Sequence, residues 1–276
     1  MTHTESTFTG HDGLALFYQS WQPAVEPKAA LIIVHGLGDH GGRYMNFVRP
    51  LTAAGYAVYA FDNRGHGRSP GKRGFVNSFA EFRQDVGVFK SLVKEREGER
   101  PLFIMGHSLG GLIVLDTVLH DSTGYKGVVA SAPALDTGGV SAVLMAASKI
   151  LSRVKPDLSV PSGLDVNAIS RDPQAVAAYQ SDPLVHGVGT PRLATGSTAA
   201  MTWCFANTAN LQIPILMYHG TDDRITSPLS SRQFFDKLTT PDKTYLNYDG
   251  GYHESHNDLH HAQAAADIQN WLDAHI

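Results

Sequence analysis

The stretch Gly106-His107-Ser108-Leu109-Gly110-Gly111 decides how this chain folds. Before it runs the short apolar segment Pro101-Leu102-Phe103-Ile104-Met105, and after it comes Leu112-Ile113-Val114-Leu115. The order is strand, sharp turn, helix, the setting in which G-x-S-x-G holds a serine on a strained turn. Glycines are needed on both sides because a Cβ there would meet the neighbouring strand or helix. Such a turn projects the Ser108 hydroxyl out of the sheet. It also leaves the Leu109 N–H at a helix N-terminus, aimed where an oxyanion would sit. Without those flanks the same glycines would mark an inert tight turn; the strand before them and the helix after them favour a nucleophile.

Outward from this turn, apolar runs alternate with glycine-rich turns and helical patterns. Ala29–Val34 reads as a strand buried on both faces, as do Tyr56–Phe61, 102–105 and 128–130. Helical spacing covers about 43–54, with Gly55 as its C-cap, then 79–96 and Leu109–His120. His11-Asp12-Gly13 between alternating runs marks a hairpin. Strand-helix-strand repetition predicts a parallel sheet covered on both faces. The rhythm breaks after Ala132-Pro133-Ala134. From about 136 to 210 no convincing strand is legible. Val140, Val143, Leu144, Ala147, Ile150 and Leu151 recur at helical spacing, and Pro156, Pro161, Pro173, Pro183 and Pro191 divide the remainder into short pieces. A segment this long is no ordinary crossover, and it is expected to form a helical cap over the carboxyl ends of the strands. Strands resume at about 213–218 and at Lys243–Tyr248, and a last amphipathic helix covers about 258–275.

The chain has 276 residues, 42% hydrophobic and 17% charged, the proportions of a globular protein rather than a disordered one. Its length suits one large α/β domain with an insertion, or two domains. A net charge of −4 and a pI of about 6.4 argue against a surface for nucleic-acid phosphates. The single cysteine, Cys204, excludes an intramolecular disulfide and a cysteine-rich zinc site, and it reads as a small buried hydrophobe. No basic start followed by an apolar stretch marks a signal peptide, and no run approaches the ~18 apolar residues of a membrane span. A cytoplasmic protein is expected, with peripheral contact with a membrane left open.

A serine hydroxyl is a poor nucleophile at neutral pH. It needs an imidazole to take its proton and a carboxylate to hold that imidazole in the right tautomer. On this type of turn, acid and then base follow the serine, each in a loop after a late strand. The acid candidates are Asp222 and Asp223 in His219-Gly220-Thr221-Asp222-Asp223-Arg224. The base candidates are His253 and His256 in Gly251-Tyr252-His253-Glu254-Ser255-His256, and His253 stands in the required place. The second oxyanion donor should come from His35-Gly36-Leu37-Gly38-Asp39-His40, where two glycines let the backbone approach an anion and the Leu37 N–H is the best candidate.

With these residues in place, the chain resembles the monoacylglycerol lipase and lysophospholipase branch of the α/β-hydrolases, a serine aminopeptidase S33-like group. The resemblance runs through His35–Tyr44, through Phe61-Asp62-Asn63-Arg64-Gly65-His66-Gly67-Arg68-Ser69 and through Gly106–Gly111. It continues through Tyr179-Gln180-Ser181-Asp182-Pro183-Leu184, Gly220–Arg224 and Tyr252-His253. The segment at 179–184 is the most specific match. The resemblance implies an α/β-hydrolase fold: a mostly parallel eight-stranded sheet with helices on both faces, a core at 1–135 and 211–276, and a helical cap inserted at 136–210. It implies Ser108, Asp223 and His253 as the triad, Asp223 being chosen over Asp222 because it directly precedes Arg224. Leu37 and Leu109 become the oxyanion-hole donors, and Arg43, Tyr179 and His256 the polar residues near the bound alcohol. Asp62–Gly67 and His107 are read as structural.

The activity implied is hydrolysis of single-chain lipid esters, monoacylglycerols first, with no metal, cofactor or nucleic acid, a small lipid ester as substrate, and peripheral contact of the cap with a membrane or micelle left open. A lysophospholipase, a broad carboxylesterase, a peptidase and a perhydrolase share this scaffold. Dehalogenases and epoxide hydrolases use a carboxylate nucleophile where this chain has Ser108. A hydrolase-like binding protein without turnover is the alternative of another class, and a fluorophosphonate probe, which reacts only with an activated serine, separates the two.

Overall fold

In the computed structural model, which describes residues 1–137 and 142–276 (side chains of 142–145 excepted), the chain enters through a hairpin whose first strand is polar and exposed and whose second is largely buried. β1 (Thr2–Thr9) pairs antiparallel with β2 (Ala15–Gln22), and Gly13 takes the turn at a φ of 90°. β3 (Ala29–Val34) follows, every residue buried. α1 (Met45–Ala53) then leads to β4 (Tyr56–Phe61), and α2 (Ala80–Glu97) to β5 (Leu102–His107). α3 (Leu109–His120) leads to β6 (Gly127–Ser131). β9 (Ile215–Gly220), α7 (Pro228–Lys237), β10 (Lys243–Tyr248) and α8 (His261–Asp273) come after an intervening segment. That segment holds α4 (Ala142–Val154), β7 (Val160–Pro161), α5 (Pro173–Ser181), β8 (Val188–Gly189) and α6 (Pro191–Ala206).

Eight strands form one sheet in the order β1-β2-β4-β3-β5-β6-β9-β10. All pairs from β4 to β10 are parallel, and β2 meets β4 antiparallel. Alternation along each strand divides the interior in two. Ala30, Ile32 and Val34 of β3 face one layer, with Phe82, Val86, Phe89 and Val93 of α2 and most of α3. Ala29, Leu31 and Ile33 face the other, with Phe47, Val48 and Leu51 of α1 and Ile268, Trp271 and Leu272 of α8. Those spacings are the helical ones that place a single apolar stripe on each helix.

The segment between β6 and β9 adds no strand to this sheet, but it departs from the sequence expectation in two ways. β7 and β8 pair antiparallel as a small ribbon of their own. The prolines also do not fragment it as expected. Pro191 opens a helix of 16 residues, because Thr190 caps it and a proline in the first turn has no N–H to lose. The expected apolar stripe of α4 falls partly at Val140, Val143 and Leu144, outside the described residues and side chains. The first helix is also shorter than read, with 41–44 forming a 3-10 turn ahead of α1. Among the described residues, no helix is long and apolar enough to cross a membrane. Cys204 is buried in the core beside α3.

Candidate active site

β5 ends at His107, and the chain reverses into α3 at Ser108. Its φ of 56° and ψ of −119° lie where L-residues rarely go. Two glycines make the turn feasible. A Cβ at Gly106 would run into the carbonyl oxygen of Gly110, and one at Gly110 into that of Val34. The Ser108 N–H donates to Ser131 O at 3.0 Å, and the Ser108 carbonyl accepts from Ala134 N at 2.9 Å and Leu112 N at 3.1 Å. The backbone is thereby pinned and the hydroxyl left for chemistry. Leu109 is the first residue of α3, so no carbonyl one turn earlier takes its N–H.

β3 lies between β4 and β5, so the sheet order reverses there, and ligands bind open α/β sheets at such a switch point. The loop leaving β3 carries Gly36 and Leu37 against the serine: a Cβ on Gly36 would stand 3.2 Å from Ser108 Cβ. Asp62, in the loop after β4, accepts from the N–H groups of Gly41 at 2.9 Å and Arg68 at 2.8 Å, a bracing role in keeping with its structural reading.

His253 follows β10, and its Nδ1 lies 2.7 Å from Asp223 Oδ2. The same oxygen accepts from His219 Nε2 at 2.8 Å and Thr226 Oγ1 at 3.0 Å, and Oδ1 accepts from Ile225 N at 2.8 Å and Thr226 N at 3.1 Å. Burial by itself would raise the Asp223 pKa. Attraction to His253 and hydrogen bonds from both histidines outweigh it and hold the carboxyl well below the usual carboxylate range. An ionised carboxylate only accepts, so the proton of a neutral His253 sits on Nδ1. Its Nε2 then carries the lone pair, and this atom is buried with no hydrogen-bond partner in the protein. Asp222 is exposed to solvent. His219, the third member of this cluster, was not singled out in the sequence, although it closes β9 four residues before Asp223.

Ser108, His253, Leu37 and Tyr179 line one cleft, together with Asp39, His107 and Glu254 and with Leu164 and Ile169 from the intervening segment. Its free volume is about 10 Å³, room for roughly one water. His107 stands 4.6 Å from His253, ring centre to ring centre, and burial keeps it neutral, its pKa well below 6.5.

Of the three residues expected around an alcohol, only Tyr179 lines the cleft. Arg43 is held behind it. Its guanidinium meets Glu254 at 2.8 and 2.7 Å and Asp39 at 2.9 Å, and it lies over the Tyr179 ring at 4.6 Å. His256 is fully buried, stacked on Tyr44 at 4.3 Å with His107 4.8 Å to its side. Neither of its ring nitrogens has a hydrogen-bond partner, and burial takes its pKa down to about 4. The aromatic rings that enclose His256 keep it from the place expected of it. Asp39 and Glu254 went unremarked in the sequence, and only the position of Glu254 beside the base hinted at a role. Asp39, Glu254 and His256 bring ligand atoms within 4.8 Å of one another, but Arg43 already supplies the positive charge to both carboxylates. His11, Asp12 and Asp85 cluster likewise around Arg64, far along the chain from the serine turn.

Residues 25–260 match the serine aminopeptidase S33 family. The chain is 35% identical over 280 residues to a monoacylglycerol lipase of Mycolicibacterium smegmatis, covering 100% of this chain and 99% of that protein. It is 32% identical over 252 residues to the human monoglyceride lipase, covering 90% of this chain and 82% of the relative. The crystal structure of a monoacylglycerol lipase from Paleococcus ferrophilus superposes with a TM-score of 0.86 at 36% identity, over 95% of this chain and 99% of that one. The switch-point serine turn and these full-length likenesses agree: the chain belongs to the serine aminopeptidase S33 family, in the monoacylglycerol lipase branch of the α/β-hydrolases.

Proposed function

We propose that the protein hydrolyses monoacylglycerols to fatty acid and glycerol through an acyl-enzyme on Ser108. The observation that carries this reading is the free Nε2 of His253, in the same cleft as Ser108 and with Asp223 fixed at its other nitrogen. His253 takes the Ser108 proton as the hydroxyl oxygen attacks the acyl carbon. The N–H groups of Leu37 and Leu109 hold the oxyanion, and preorganised donors of this kind are worth ~10²–10³ in rate. His253 then gives its proton to the departing alcohol, and water repeats the cycle on the acyl-enzyme. The test is joint: a fluorophosphonate probe labels the wild type but not Ser108→Ala, and the wild type releases glycerol from a monoacylglycerol. An unlabelled, inactive wild type would move the protein to the non-catalytic class.

The pH dependence follows from the base. Burial pulls the His253 pKa down, but Asp223, with Glu254 and Asp39, pulls it further up, to above 6.5. Catalysis needs the neutral imidazole, so kcat/KM is lost as pH falls through that raised pKa. The acid limb of the profile should lie above pH 6.5, and a limb well below it would contradict His253 as base.

We read 136–210 as a cap. Leu164, Ile169 and Tyr179 close the cleft from this segment, and His186 N donates to Gly38 O at 3.0 Å across it. A free volume of about 10 Å³ is far below the ~300–1,000 Å³ of ligand pockets, so an acyl chain enters only when the cap shifts. Ile150 and Val154 on α4 are 66% and 72% exposed, with Leu158 and Val160 exposed beyond them. This face suits docking on a micelle or membrane. Ile150→Glu with Val154→Glu should cut hydrolysis of micellar monooleoylglycerol by ~10-fold or more and spare soluble monobutyrin. Equal losses on both would count against a docking face.

Substrate preference follows from shape. One cap channel holds one chain, and each buried CH₂ is worth about 0.8 kcal/mol, so affinity should rise with chain length until the channel is full. Triacylglycerols bring two further chains, and lysophospholipids a bulky phosphate. The expected order of kcat/KM is monoacylglycerol, then lysophospholipid, then triacylglycerol. A clear preference for the lysophospholipid would reassign the protein within its family.

A further inference from the structure

We propose that Glu254 sets the charge of the alcohol that the cleft accepts: by clamping Arg43 it leaves carboxylates facing the leaving group, which selects neutral or cationic alcohols over anionic ones. The inference rests on the ester-hydrolase reading above and concerns the polar end of the same cleft. By motif Arg43 is expected beside the bound alcohol, and a lone arginine there would be expected to welcome a phosphate. The geometry gives it a different task. Both of its terminal nitrogens are taken by Glu254, Nη1 is shared with Asp39, and its face is covered by Tyr179. Asp39 and Glu254 are among the residues that line the cleft, and Arg43 is not.

Two carboxylates share one guanidinium, so the cluster carries a net negative charge. Burial opposes ionisation of each carboxyl, but Arg43 overrides it and holds both below their usual range. His256, 4.0 Å from Glu254, is neutral near pH 7 and adds no balancing cation. Tyr44 donates to Asp39 Oδ2 at 3.0 Å, and Asn257 donates at 2.9 Å to Glu254 Oε2, the oxygen that Arg43 Nη2 also holds; both donors are neutral, so they fix the pair in place without discharging it. A diol offers hydroxyl hydrogens to carboxylate oxygens. A phosphate monoester replaces one of those hydroxyls with negative charge, and a like charge at ~7 Å in a partly buried site costs on the order of 30-fold or more in binding.

The test uses matched pairs on the wild type. Octanoylglycerol and its 3-phosphate share chain and alcohol and differ in charge. Butyrylcholine and 3,3-dimethylbutyl butyrate share shape and differ by one positive charge. The expected result is a kcat/KM at least ~30-fold higher for octanoylglycerol than for its phosphate, and butyrylcholine at or above its neutral twin. Equal rates within the first pair, or a cation strongly disfavoured in the second, would overturn the proposal. Glu254→Gln keeps the size of the side chain and removes its charge, and in a folded variant it should narrow the first ratio by ~10-fold. An unchanged ratio in a variant with normal thermal unfolding overturns the assignment to Glu254. If the variant does not fold, the wild-type pairs decide alone. Failure to cleave octanoylglycerol at all would sink the monoglyceride reading, while the choline pair would still test the charge.

Discussion

Ser108→Ala should fold as the wild type does and lose ester hydrolysis by on the order of 10⁵–10⁶-fold, the scale on which loss of a triad serine is felt. The backbone at this position is held by Ser131, Ala134 and Leu112 through main-chain hydrogen bonds that alanine keeps. The turn itself is made by Gly106 and Gly110, which the substitution does not touch. Only the nucleophilic oxygen goes. The measurements are kcat on a soluble ester, fluorophosphonate labelling and thermal unfolding. Turnover like that of the wild type would end the serine-hydrolase reading, because no other hydroxyl stands on the turn.

Asp223→Asn should cost on the order of 10⁴-fold in kcat, as the same change does in serine proteases. The carboxylate fixes two imidazoles at once, His253 at 2.7 Å and His219 at 2.8 Å, and takes the Thr226 hydroxyl as well. An asparagine amide supplies one accepting oxygen and one donating nitrogen. The main-chain N–H groups of Ile225 and Thr226 can only donate, so the amide oxygen takes the place of Oδ1 and its NH2 faces both histidines; a His253 that turns its lone pair toward that NH2 presents N–H to Ser108 instead of a base. The loss of a satisfied buried acceptor should also lower stability by about 1–3 kcal/mol. Asp222→Asn, at an exposed position, should change kcat little. A reversal of the two effects would move the acid role to Asp222.

The framework of the sheet was plain in the sequence because its central strands are buried on both faces. A run such as Ala29–Val34 has no polar position to blur it. The serine turn was legible for a related reason: Gly106 and Gly110 stand where any side chain would collide with backbone. The segment from 136 to 210 was harder. α4 alone carries a strong stripe there, α5 and α6 carry weak ones, and the prolines were read only as breakers. Asp172-Pro173, Thr190-Pro191 and Ser227-Pro228 each cap a helix and open it, a signal present in the sequence and overlooked there. The polar end of the site was least legible. Motif position brought Arg43 and His256 near the serine in sequence terms, but whether a side chain meets the cleft or its wall depends on partners such as Glu254 and Tyr44, distant or unremarked in the chain.

The conformation of Ser108 bears on how such a protein changes over generations. A non-glycine residue at φ 56° costs roughly 1–3 kcal/mol, against a total stability of ~5–15 kcal/mol for a typical domain. Glycine would relieve that cost and abolish the chemistry together. Selection for a sturdier molecule alone would therefore work against the nucleophile, and a lineage released from the need for turnover should drift first toward a more stable and silent protein.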